Sequence, residues 1–253
     1  MLSDIIQLNL FSFFLIFARV GTVFMLMPGI GTAYVSVNIR LAIALTLCFI
    51  LTPLLAARMP TPPGSQIDLM LLLLSEVIIG VFIGMVARIT ISALQTAGTL
   101  IALFSSLANA MIRDAIAEQQ SSLIATFLSM LGMVLILVTD MHHLMIRGTV
   151  ESYSLFVPGQ ALSLGDFSQM LTRRMADSFE LGVRLSSPFL LLAMVYYVGL
   201  GILGRLMPAL PVFIVVMPLQ IAGQLTFLML SLSAMMMYFL SQFEDAIIVF
   251  LEP

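Results

Sequence analysis

The chain has 253 residues, of which 61% are hydrophobic and 9% charged, with a formal net charge of −3 and a pI near 5.2. Soluble domains carry about 25% charged residues, so this chain cannot cover a water-facing globule and is expected to be an all-α, multi-spanning membrane protein. All ten basic residues are arginine, which excludes a Walker A phosphate loop, a Schiff-base lysine and a lysine general base, and no basic patch is offered to nucleic acid.

A bilayer core about 30 Å thick needs roughly 20 apolar residues in helix, and about six stretches approach that. The first, Ile5 to Met27, carries Arg19 and closes at Pro28-Gly29. It lacks the basic n-region and small-residue cleavage site of a secretory signal, so it is expected to remain in the mature protein. The second, Leu41 to Leu55, contains the single cysteine, Cys48, and ends ahead of Pro60-Thr61-Pro62-Pro63-Gly64. With one cysteine no intrachain disulfide is possible. The third, Ile67 to Val86, holds Glu76 and a Gly80/Gly84 pair; small residues at that spacing predict close approach by another helix.

From Arg88, alternate steps of four and three reach Ser92, Gln95, Thr99, Ala102, Ser106, Asn109 and Arg113. The opposite face carries Leu94, Ala97, Ile101 and Phe104. A small-or-polar stripe at helical spacing either lines an aqueous path or lets neighbouring helices approach and hydrogen-bond. Its continuation, Ala108 to Gln120, mixes small, polar and charged residues and reads as a solvated helix extension or loop.

The fourth stretch runs from Leu123 to Val138 and is followed by Asp140, His142 and His143. Adjacent histidines on a straight helix point about 100° apart, unlike the i, i+4 pairs of metal-binding helices, so the acid reads as capping and no metal or cofactor is expected. Between Gly165 and Leu185, Phe167, Leu171, Met175, Phe179 and Val183 recur at i+4, and Asp166 with Gln169 resembles a capping pair. This predicts a separate amphipathic helix near 166–185. The fifth and sixth stretches are Pro188 to Leu203 and Val212 to Leu240, the sixth broken by Pro218. Methionine is abundant, at 20 residues including Met235 to Met237, and thioethers suit lipid-facing filler or surfaces that repack.

Catalytic patterns are absent: there is no GxSxG, no CxxC and no acidic pair placed for hydrolysis, so the chain is not expected to be an enzyme. Arg19 and Glu76 both fall near mid-span, where a charge costs roughly 2.5–3.5 kcal/mol on insertion scales. An ion pair between them would fix helix register or serve a proton relay. Arginine counts on the two sides of a six-span topology are nearly equal, so the positive-inside rule sets no orientation.

Four groups of residues carry a family resemblance. They are Phe17 to Gly21 with Met27-Pro28-Gly29-Ile30-Gly31 and Asn38 to Leu41; Gln95-Thr96-Ala97-Gly98 with Leu103 to Asn109; Gln119 to Ser122 with Asp140 to Leu144 and Ser152-Tyr153; and Leu203 to Pro208 with Val212-Phe213 and Met217-Pro218-Leu219. In order and spacing they cover nearly the whole chain and resemble the FliR family, subunits of the flagellar type III export gate. Ala209-Leu210-Pro211 and Gln220 depart from that pattern. The related virulence-type secretion subunit has the same architecture.

The resemblance implies one integral-membrane export-gate domain over 1–253, its hydrophobic helices arranged as hairpins. It implies assembly with FliP-like and FliQ-like subunits around an export pore, an FlhB-like subunit at the base, and unfolded flagellar proteins as substrates. The place implied is the bacterial inner membrane, at the flagellar basal body. The family's pore plug maps within Ser105 to Gln120, on Leu107, Asn109, Met111, Ile112, Arg113 and Asp114. Arg205, Pro208, Phe213 and Pro218 are family-motif positions. The competing reading is a stand-alone proton-coupled transporter built on Arg19 and Glu76.

Overall fold

The computed structural model describes residues 2–32, 34–105, 123–160, 164–207 and 212–251, with side chains for all of these except 2–9, 164 and 212–215. Seven α-helices occur among them: α1 (Leu2–Leu26), α2 (Val37–Leu55), α3 (Gln66–Phe104), α4 (Leu123–Val138), α5 (Met141–Leu155), α6 (Leu164–Leu206) and α7 (Val212–Ile248). No strand is present among the described residues. Four helical segments are long and apolar enough to cross a membrane, five if the bent α4–α5 pair forms one span, and α1 supplies a shorter apolar segment. The chain is an all-α membrane protein.

Three expectations about boundaries change. The third stretch and the polar stripe as far as Ala102 are one 39-residue helix, α3, because no proline lies between Val86 and Phe104 and the lone glycine there, Gly98, does not break it. The amphipathic segment and the fifth stretch are likewise one 43-residue helix, α6, which continues through Pro188. Proline removes the N–H that would bond the carbonyl four residues back, here that of Arg184; the Ser187 hydroxyl donates to this carbonyl at 2.8 Å. Similarly α7 runs through Pro218 without ending. Asp166 is no N-cap, since α6 begins at Leu164; it sits in the first helical turn, where a carboxylate suits the positive end of the helix dipole.

The chain gathers into two compact units, one of residues 1–90, 134–175 and 243–253, the other of 91–133 and 176–242. In the first, α1 packs against α2 across a turn in which Gly29 adopts φ +86°, a conformation glycine enters without steric cost. Gly80 and Gly84 meet α1: a Cβ at Gly80 would stand 2.6 Å from the Arg19 carbonyl oxygen, and one at Gly84 2.6 Å from Leu26 Cβ. A core of Val23, Ile79, Phe82, Ile83, Val86, Phe167 and Phe250 closes the unit, with the Phe82 ring 4.5 Å from Phe167 and 6.0 Å from Phe250.

In the second unit close approach again depends on glycine. A side chain at Gly98 would overlap the backbone of Ala125, one at Gly132 would overlap Leu94, and one at Gly182 would press on Thr96 and Ala93. Such contacts let helices associate where lipid offers no hydrophobic drive. Spacing at i+4 drifts about 40° per step around a helix, so the bulky stripe changes side along α6, and Leu181, Leu185 and Phe189 take the buried face here. Phe167 is buried and Leu171 half-buried, whereas Met175, Phe179 and Val183 are exposed. Along the rest of α6 and α7 large apolar residues stand exposed, among them Val195, Val198, Met229, Leu230 and Met237.

Candidate functional site

Two constellations use polar groups inside this apolar chain. In the first unit, Arg19 and Glu76 are both fully buried and joined side by side. Arg19 Nε donates to Glu76 Oε2 at 2.6 Å and Nη2 to Glu76 Oε1 at 3.0 Å. The planar guanidinium fork matches a carboxylate in this way. The remaining donors reach elsewhere: Nη1 to Ser152 Oγ at 3.2 Å, and Nη2 to the Phe156 carbonyl at 2.9 Å. The Arg19 Cζ lies 3.9 Å from the centre of the Tyr153 ring, a cation–π distance. Four hydrogen bonds and one aromatic face thus tie α1 to α3 and to the end of α5.

The sequence pointed to Arg19 and Glu76 but not to their supports. Ser152 and Tyr153 stand out only as a motif, and a backbone carbonyl such as that of Phe156 leaves no mark in a sequence. The Tyr153 hydroxyl is buried without a hydrogen-bond partner among the described residues.

The second constellation is the C-terminal end of α3. The last carbonyls of a helix lack intrahelical partners. That of Phe104 accepts two, from Gln220 Nε2 at 2.9 Å and Gln224 Nε2 at 3.0 Å, both on α7 and both about 5% exposed. Gln224 Oε1 remains without a partner among the described residues. The two glutamines, with Leu192, Tyr196, Gly223 and Phe227, line a cavity of about 370 Å³. The Tyr196 hydroxyl donates to the Val216 carbonyl at 2.6 Å, two residues before Pro218. Sequence reasoning noted Gln220 only as a departure and missed Gln224; their i, i+4 spacing on α7 was the available signal.

Of the polar stripe, Ser92, Gln95 and Thr99 are exposed, while Leu94, Ala97 and Ile101 opposite them are buried. Ala102 breaks the stripe, being buried. The Ser92 and Ser178 hydroxyls are 3.3 Å apart, hydrogen-bonding α3 to α6, and Thr99 donates to the Gln95 carbonyl at 2.8 Å. Arg205 is exposed near the end of α6, and Pro218 is exposed on α7. Ser106, the plug positions Leu107, Asn109, Met111, Ile112, Arg113 and Asp114, and Pro208 lie outside the described residues; Phe213 lies in α7 with its side chain undescribed.

Residues 10–246 match the family model "Bacterial export proteins, family 1". The chain is 37% identical over 236 residues, 93% of its length and 94% of the relative's, to the flagellar biosynthetic protein FliR of Caulobacter vibrioides. The chain belongs to the FliR family of bacterial export proteins. The FliR of Bacillus subtilis is 29% identical over 88% of this chain and 86% of its own. The Yop proteins translocation protein T of Yersinia pestis is 27% identical over 100% of this chain and 96% of its own.

The family match, residues 10–246, extends from α1 into α7, so it contains the Arg19 hub and the glutamine-capped end of α3 alike. A FliR-family chain is a membrane-bound part of an export apparatus, and its partners are other membrane components of that apparatus.

Proposed function

We propose that this chain is a structural and gating subunit of a flagellar type III protein export gate. It assembles with FliP-like and FliQ-like subunits around the pore that passes unfolded flagellar proteins, with an FlhB-like subunit at its base, in the bacterial inner membrane at the flagellar basal body. The carrying observation is the end-to-end similarity to a flagellar FliR, at 37% identity over 93% of the chain. The weaker similarity to the Yersinia translocation protein favours a flagellar rather than a virulence system.

The chain works as one export-gate domain that acts by shape and position, without catalysis. Its exposed apolar faces on α6 and α7 are the surfaces that partner helices and membrane lipid cover. The exposed stripe of Ser92, Gln95 and Thr99 faces the pore. Leu107, Asn109, Met111, Ile112, Arg113 and Asp114 follow α3 as the plug of the closed gate, and the grip of Gln220 and Gln224 on Phe104 fixes the point from which that segment departs. Arg205, Pro208, Phe213 and Pro218 are carried over as family-motif positions of such a subunit.

A stand-alone transporter would need Glu76 to exchange protons with a path to water. Both of its oxygens are instead held by Arg19 and it is fully buried, which favours a register lock. Deletion of Leu107 to Asp114 tests the gating role: the assembled complex should form normally and conduct ions through the membrane when closed. A membrane that stays tight with this deletion would remove the plug from the account.

A further inference from the structure

The turn between α4 and α5 carries a cluster that the export role does not use. The two helices meet at an angle of 72°, and the turn ends at Asp140, which adopts φ 60°, ψ 14°. It is the one non-glycine residue with positive φ among the described residues, a conformation that costs of order 1–3 kcal/mol. An N-cap aspartate ordinarily takes extended backbone angles and accepts from an amide of the first turn. Asp140 stands at the N-cap of α5 yet makes no side-chain cap bond, so its carboxylate is not spent on the helix.

The carboxylate turns instead to the histidines. Asp140 Oδ1 lies 3.4 Å from His143 Nδ1, longer than the usual 2.7–3.2 Å of an N–H···O bond. Two tetrahedral ligands held about 2.0–2.1 Å from one zinc ion stand roughly 3.4 Å apart. The His142 and His143 rings are not splayed as on an uninterrupted helix surface: their centres are 4.1 Å apart, at 36°. One ligand atom from each of Asp140, His142 and His143 falls within 4.8 Å of the others. His142 Nδ1 is shielded from solvent with no hydrogen-bond partner among the described residues, whereas the other two side chains are largely exposed and free to close the remaining distance by rotation.

We propose that Asp140, His142 and His143 bind one divalent transition-metal ion of the zinc, nickel or copper class. Two imidazoles and a carboxylate select these ions over magnesium and calcium, which prefer all-oxygen shells. The bound ion joins the turn residue Asp140 to the first turn of α5 and leaves coordination positions open to water or to a group from a partner.

The test uses the full-length chain with its co-purifying subunits, carried on a tag without histidine, because His142 and His143 are the chain's only histidines. Co²⁺ binding is followed by visible absorption and Zn²⁺ by displacement of Co²⁺. The expected result is Zn²⁺ bound far more tightly than Mg²⁺, and weakened more than about tenfold by Asp140→Asn or by either histidine changed to Asn; loss of even an outer partner of a metal ligand has an effect of that size. Helical content and co-purification should be unchanged in the variants. Zn²⁺ affinity equal in the wild type and the His142→Asn/His143→Asn double variant would overturn the proposal. So would a wild-type titration in which Zn²⁺ binds no more tightly than Mg²⁺, and that result stands whether or not the variants fold.

Discussion

Glu76 on α3 takes both of its hydrogen bonds from Arg19 on α1, at 2.6 and 3.0 Å, and neither side chain reaches solvent. One helical turn on, Gly80 admits the backbone of α1 against α3 so closely that a Cβ there would stand only 2.6 Å from the Arg19 carbonyl oxygen. Charge pairing and close backbone approach therefore act at the same level of the same helix pair, and each fixes the register that the other requires.

Breaking that pair from one side leaves a buried charge uncompensated, at a cost of about 3–5 kcal/mol. Glu76→Ala should lower the denaturation midpoint of the purified protein accordingly, and Arg19→Met should do the same. The double variant Arg19→Met/Glu76→Leu should recover much of the loss, because exchanging a whole buried pair for apolar groups is often close to neutral. Equal damage from single and double variants would deny the pair its registering role.

Two glycines should respond in opposite ways to alanine. At Gly80 the new methyl meets the Arg19 carbonyl at 2.6 Å and Thr22 Cβ at 2.9 Å, and overpacking of this kind costs about 1–3 kcal/mol. At Gly199, on α6, nothing lies within 4 Å, so alanine should stabilise the isolated chain by roughly 0.5–1 kcal/mol through helix propensity. Denaturation of the two variants in detergent makes the comparison. A larger loss at Gly199 than at Gly80 would contradict it.

The cap on α3 should behave non-additively. Gln220→Leu or Gln224→Leu alone leaves the Phe104 carbonyl one donor, and each should have a small effect. The double variant takes both glutamine donors from a part-buried carbonyl, at about 1–3 kcal/mol, and exceeds the sum of the single changes, as expected for residues sharing one partner. Measured together with ion leak through the assembled gate, the double variant should leak where neither single variant does.

Much of the helical content was legible from apolar run length: α4 has the bounds the sequence suggests, α1 and α2 begin a few residues earlier, and α1 ends at Leu26 rather than Met27. Helix ends were harder. Proline and mixed polarity suggested breaks at Pro188, at Pro218 and after Val86. Yet the Ser187 hydroxyl occupies the carbonyl that Pro188 leaves unbonded, and the stripe of α3 has no residue that stops a helix. Arg19 and Glu76 could be singled out because a charge in an apolar run is expensive. Their supports could not, since Ser152, the Phe156 carbonyl and the face of Tyr153 carry no anomalous charge. The direction of the α6 stripe was not legible for a related reason: periodicity says which residues share a face, not which face is buried, and residues spaced at i+4 drift about 40° per step around a helix.

Co-purification tests the central claim most directly. The tagged chain, extracted from its native membrane in mild detergent, should bring down FliP-like and FliQ-like membrane subunits in one stable complex. A chain that elutes alone, or as a dimer of itself, with Glu76→Gln abolishing a transport activity of its own, would contradict the export-gate account.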